Sequence, residues 1–249
     1  MPIDVVDLRD FYTHRLGAVA RHFVGRGIRR RWADTRGMRI LGLGYATPYL
    51  GLFREDAERC LAFMPAAQGV VKWPTARPTM SALVEELELP LPDAAVDRVL
   101  LVHALEMSQD ATALLREVWR VLASGGQLLA VVPNRRGLWA RMDTTPFGHG
   151  RPYSRSQITH LLREAWFTPV AWGEALYVPP IRRGWFLRSA VAWERAGATI
   201  SAPFAGVHIV EATKQVYRAV PARREKRQLM PALEPALAPS PRSVARQSC

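Results

Sequence analysis

The stretch Gly42-Leu43-Gly44-Tyr45-Ala46-Thr47 ends a short apolar run that begins at Met38, and Pro48-Tyr49-Leu50 follows at once. A chain that turns at the end of a buried strand sends backbone groups and a helix N-terminus outward, which is where a nucleoside-type ligand settles on a parallel sheet. Glycine suits such a turn because a Cβ would block the ligand's approach. Gly44 is the residue expected to lie against it; a plain strand-to-helix turn is the competing reading. His103 follows a second apolar run, residues 96–102, where an imidazole serves either as a pocket-lining group or as ordinary packing. His149 and Tyr153 lie in residues 134–154, a stretch whose length and Gly, Pro and aromatic content exceed what a connector needs. That stretch is assigned to a substrate mouth, with His149 and Tyr153 as candidates for a base or an orienting group. Ser154 with Gln157 also has the spacing of a capping box, so its end simply starts the next helix.

The elements that must hold these residues follow from periodicity. Leu8, Phe11, Leu16, Val19, Phe23 and Val24 recur at helical spacing between arginines, which predicts one amphipathic helix from Asp7 to Trp32. Helical composition continues from Thr47 to Glu58, and Cys60 to Phe63 reads as a short strand. Residues 66–78 are rich in Pro, Gly and Ala and read as loop. Val96 to Val102 reads as a buried strand, and Asp110 to Leu122 as an amphipathic helix stopped by Ser124-Gly125-Gly126. A further strand spans Gln127 to Val132. A helix to about Trp166, a strand from Thr168 to Leu176, a helix from Trp185 to Arg195 and a strand from Val207 to Tyr217 complete the pattern. Trp185, Phe186 and Trp193 are either a wall over the substrate or core. Strands alternating with helices argue for an α/β fold with a mostly parallel sheet covered on both faces.

Composition bounds the rest. With 249 residues and 49% hydrophobic content, one core is the prior. The sequence divides into an N-terminal helical lid (1–36), a main domain (37–220) and a basic Pro/Ala-rich tail (221–249) expected to be disordered. No uninterrupted apolar run approaches the roughly 18 residues a membrane-spanning helix needs, and the start lacks a signal-peptide pattern, so a cytoplasmic setting is expected. Two cysteines, Cys60 and Cys249, and scattered histidines give no metal-ligand spacing, so no metal is expected. The formal charge of +12 would attract RNA, DNA, an anionic membrane surface or an acidic partner, and does not choose among them.

In order, Glu88-Leu89-Pro90-Leu91-Pro92-Asp93-Ala94-Ala95-Val96-Asp97-Arg98-Val99-Leu100, His103-Ala104-Leu105-Glu106 and Leu114-Leu115-Arg116-Glu117-Val118-Trp119-Arg120-Val121-Leu122-Ala123-Ser124-Gly125-Gly126 resemble the class I, S-adenosylmethionine-dependent methyltransferases of the type 11 family. The resemblance covers roughly Met38 to Pro133. It implies a Rossmann-like, seven-stranded fold, S-adenosyl-L-methionine as cofactor, and a methyltransferase acting on a small-molecule acceptor. It also implies cofactor contacts at Gly42, Gly44, Tyr45, Ala46 and Thr47, with Glu85 near the adenine amino group and His103 lining the pocket.

The glycine-rich motif is degenerate. Gly42 stands where the family carries an acidic residue, and Ala46 and Pro48 stand where it carries glycines. Phe63-Met64-Pro65-Ala66 lacks the carboxylate that would accept the ribose hydroxyls. Losing such a charge-assisted bond costs about 1.5–3 kcal/mol. The alternatives are therefore a catalytically inactive methyltransferase-like interaction or regulatory protein, and an RNA or DNA methyltransferase. Methyl transfer chiefly needs alignment of nucleophile and methyl carbon, and a base only where the nucleophile must lose a proton.

Overall fold

The computed structural model describes residues 3–181, 189–200 and 204–216. The expected tail and both Trp185 and Phe186 lie outside the described residues. Among the described residues, seven strands form one sheet in the order β3-β2-β1-β4-β5-β7-β6. They are β1 (Arg39–Gly44), β2 (Arg59–Pro65), β3 (Ser81–Val84), β4 (Val96–Val102), β5 (Leu122–Pro133), β6 (Phe167–Ala175) and β7 (Val207–Lys214). The pairs among β1 to β5 are parallel, whereas β7 runs antiparallel to both β5 and β6.

Buried strands with both faces covered need apolar side chains on each, and β4 shows why they read as continuous apolar runs. Leu100 and Val102 enter the layer of helices α1 (Val5–Thr13), α2 (Arg15–Arg31) and α3 (Thr47–Leu50). Val99 and Leu101 enter the opposite layer, under α4 (Ala111–Val121) and α5 (Arg155–Glu164). Helix α4 begins where Asp110 Oδ1 accepts the Ala113 amide at 2.8 Å, and it buries Leu114, Leu115, Val118 and Val121. Each fully buried side chain of this size contributes about 1.5–3 kcal/mol. The proposed capping box of α5 is present: Ser154 Oγ accepts the Gln157 amide, and Gln157 Oε1 accepts the Ser154 amide.

Helix α4 also explains the leucine-proline step and the arginine that resemble the family. Glu117 Oε1 accepts the Leu89 amide at 2.7 Å. Arg120 forks onto Glu117 at 2.6 and 2.9 Å, then donates to Leu91 O, Asp93 Oδ1 and Leu89 O. The proline-rich entry to β4 is thus stapled to the helix that follows the strand.

Four expectations are corrected. The single helix expected from Asp7 to Trp32 is two helices, because His14 is extended (ψ 162°) and its amide closes α1 on Phe11 O. Gly17 permits the fold-back, since a Cβ there would collide with the backbone of Phe11 and Tyr12. The helix expected to reach Glu58 stops at Leu50. Three-residue turns then bring Phe53 into the core, 5.7 Å from the Trp32 ring centroid. Ser124-Gly125-Gly126 does not stop α4, which ends at Val121 with Leu122 already extended; the glycines lie in the first part of β5, at the irregular β4–β5 register. The helix expected from Trp185 to Arg195 begins outside the described residues, and α6 (Ala190–Ile200) runs past its expected end at Arg195.

Candidate functional site

In this strand order the chain leaves β1 toward β2 and β3, then returns across β1 to β4. The carboxyl ends of β1 and β4 therefore flank the place where connections diverge, the usual ligand crevice of an open α/β sheet. Gly44 sits there with φ +81°, and a Cβ on it would overlap Val102 O, His103 C and Ala104 Cβ. Glycine is required by this close approach of β1 to β4. Gly42 is a different case: a Cβ there would meet Ala46 and Leu50, so its lack of a side chain admits α3.

Of the residues expected to touch a cofactor, Gly42, Gly44, Tyr45, Ala46 and His103 are all buried here, and Thr47 is half-buried. Glu85 stands apart, exposed in a turn closed by its bridge to Glu88. What covers the cluster is helix α1. The Tyr12 ring stacks on Tyr45 (centroids 5.7 Å, interplanar 25°) and meets Tyr49 edge-on at 6.0 Å. Its hydroxyl lies 2.9 Å from His103 Nε2 and 3.2 Å from the Tyr49 hydroxyl. His103 Nδ1 lies 3.2 Å from Glu106 Oε1. A carboxylate accepts only, so Nδ1 carries the proton and Nε2 accepts from Tyr12. Burial holds the Tyr12 phenol well above its ordinary range, with the Tyr49 and Glu106 sides adding to the shift, so the phenol stays protonated and donates. Gln68, just past β2, donates its side-chain amide to His103 O, and its carbonyl accepts the Val5 amide at the start of α1.

The long stretch after β5 builds the other wall. Asn134 bridges to Tyr153, two 3-10 turns form at Trp139–Arg141 and Pro146–Gly148, and Phe147 lies 4.8 Å from the His103 ring. Trp139 is fully buried and donates to Val178 O at 2.8 Å. His149 spends Nε2 on Asp143 O, and Tyr153 donates to Leu105 O at 3.1 Å. Burial, with Glu106 nearby, raises the Tyr153 phenol, which makes it a donor rather than a base. Trp193 is 42% exposed on α6.

Sequence reasoning missed Tyr12, Gln68 and the role of Glu106. For Glu106 a signal was present: a carboxylate three residues after a histidine at the end of a strand.

The fold and crevice define the class I, Rossmann-like methyltransferase architecture. An S-adenosylmethionine-dependent methyltransferase from Thermotoga maritima superposes with a TM-score of 0.59 at 14% identity, covering 85% of this chain and 95% of its own. One from Archaeoglobus fulgidus gives 0.58 at 16%, covering 78% and 94%. The cyclase SpnF gives 0.53 at 20%, covering 78% and 80%, so the architecture alone does not specify methyl transfer. Residues 24–130 match the methyltransferase domain family model. A relative from Mycolicibacterium smegmatis, described as a probable S-adenosylmethionine-dependent methyltransferase, is 40% identical over 74 residues; these are 29% of this chain and 28% of that relative.

The family model matched by residues 24–130 implies S-adenosylmethionine as the cofactor. In this conformation the residues that would cradle an adenosyl group over Gly44 are covered by the chain's own side chains, with Tyr12 against Tyr45 and His103. Among the described residues no group of three or more His, Cys, Asp or Glu side chains could hold a metal ion, and no helix is long and apolar enough to cross a membrane.

Proposed function

We propose that the chain is an S-adenosylmethionine-dependent methyltransferase acting on a small-molecule acceptor, seen here with its crevice closed. The observation that carries this reading is the bend at Gly44. It lies at the divergence of β1 and β4, in a chain whose residues 24–130 match the methyltransferase domain model. Calorimetric titration with S-adenosylmethionine, followed by transfer of a labelled methyl group into the small-molecule fraction of a cell extract, tests it. Binding together with labelled product supports the reading. No heat of binding at millimolar ligand overturns it.

The covering of the crevice by Tyr12 favours a second reading, a methyltransferase-like interaction or regulatory protein without catalysis. Binding without any labelled product in small-molecule or macromolecular fractions would select it. The formal charge of +12 supports a nucleic-acid acceptor only if label enters RNA or DNA.

A further inference from the structure

Glu106 is 2% exposed, and its Oε2 has no hydrogen-bond partner among the described residues. A buried, half-satisfied carboxylate is costly and calls for a reason. His103, its neighbour, is fully buried and held at φ +51°, a left-handed conformation that side chains other than glycine rarely adopt. Together they aim one acceptor, His103 Nε2, at the crevice between β1 and β4, and the group it meets is a hydroxyl on an aromatic ring from the chain's own N-terminal helix. That helix is nine residues long and joins α2 through the single extended residue His14, so it can move without unwinding α2.

We propose that the Glu106–His103 pair is a recognition site for a ligand hydroxyl, and that Tyr12 holds that place in the closed conformation, so that the ligand enters by displacing helix α1. The identity of the ligand rests on the methyltransferase reading above. Two sources supply the same chemistry: a ribose hydroxyl of the adenosyl ligand, for which β2 offers no carboxylate, or a hydroxyl of the acceptor.

Calorimetric titrations of the full chain with S-adenosylhomocysteine and, separately, with 4-methylphenol distinguish the sources; toluene, the same ring without the hydroxyl, is the control. Tyr12→Ala is expected to bind one of the two hydroxyl probes at least tenfold more tightly than the wild type. 4-Methylphenol is expected to exceed toluene by a similar factor on this variant if the acceptor's hydroxyl is read. Adding His103→Gln is expected to remove the gain. Equal affinities of wild type and Tyr12→Ala for both probes, or a gain that survives His103→Gln, overturn the proposal.

The two levels fail separately. S-adenosylhomocysteine bound equally by wild type and Tyr12→Ala, with no preference for 4-methylphenol over toluene, overturns the hydroxyl site and leaves the methyltransferase reading standing. Binding of 4-methylphenol over toluene with no S-adenosylhomocysteine bound by any variant does the reverse. Should Tyr12→Ala fail to fold, hydrogen exchange on the wild type decides. Faster exchange of the Val5–Thr13 amides on saturation with whichever probe binds supports displacement, and unchanged or slower exchange overturns it.

Discussion

Gly44→Ala is the substitution whose cost follows most directly from the geometry. At φ +81° an alanine pays the left-handed penalty of about 1–2 kcal/mol. Its Cβ would overlap the Val102 carbonyl oxygen and carbons of His103 and Ala104, most of it backbone that cannot rotate away, which adds an overpacking cost of about 1–3 kcal/mol. Alanine also restricts the unfolded chain, which returns about 0.4–1 kcal/mol. The net destabilisation is about 1–4.5 kcal/mol. With a urea m-value of about 2 kcal/mol/M, the unfolding midpoint should fall by roughly 0.5–2 M, read by circular dichroism at unchanged m. A loss below about 0.5 kcal/mol would refute the reasoning, because it would mean that the bend relaxes freely and that β1 and β4 do not approach as closely as described.

Arg120→Ala should cost about 1.5–3 kcal/mol in urea unfolding, since it strands the largely buried Glu117 carboxylate; a second change, Glu117→Leu, should recover part of the loss. The Arg39 guanidinium holds the Asp97 carboxyl below its ordinary value. Its contribution is therefore present above the unfolded pKa of about 3.9 and fades as pH falls through the lower folded value. Melting temperatures of wild type and Asp97→Asn should thus converge below about pH 4 and separate above it, and a constant gap would contradict the pairing. Burial pushes the Cys60 thiol up to about 11, so in a Cys249→Ser background an aromatic disulfide reagent at pH 8 should label Cys60 only once urea unfolds the chain.

How far the sequence reveals this structure depends on whether a residue's partners lie near it in the chain. Val96 to Val102 and α4 are legible because a doubly covered strand and a one-sided helix write their surroundings into their own apolar pattern. Strand β3 is four residues long with one buried side chain, too short to show any period. The break at His14 is hidden because apolar residues keep helical spacing on both sides of it, and only the fold-back at Gly17 marks it. In the crevice, Gly44 and His103 could be picked out from their places after strands. Tyr12 could not, because a helical stripe records which side is apolar and not what that side meets, here an imidazole 91 positions along the chain.

The placement of β7 has a consequence for biosynthesis. It follows β6 in the chain yet inserts between β5 and β6, antiparallel to both. A nascent chain that has emerged only as far as Ala175 therefore holds two strands with no ladder between them, each presenting unpaired amides and carbonyls to neighbours. The ladders that join β5 to β6 through β7 can form only once residues 207–214 have arrived.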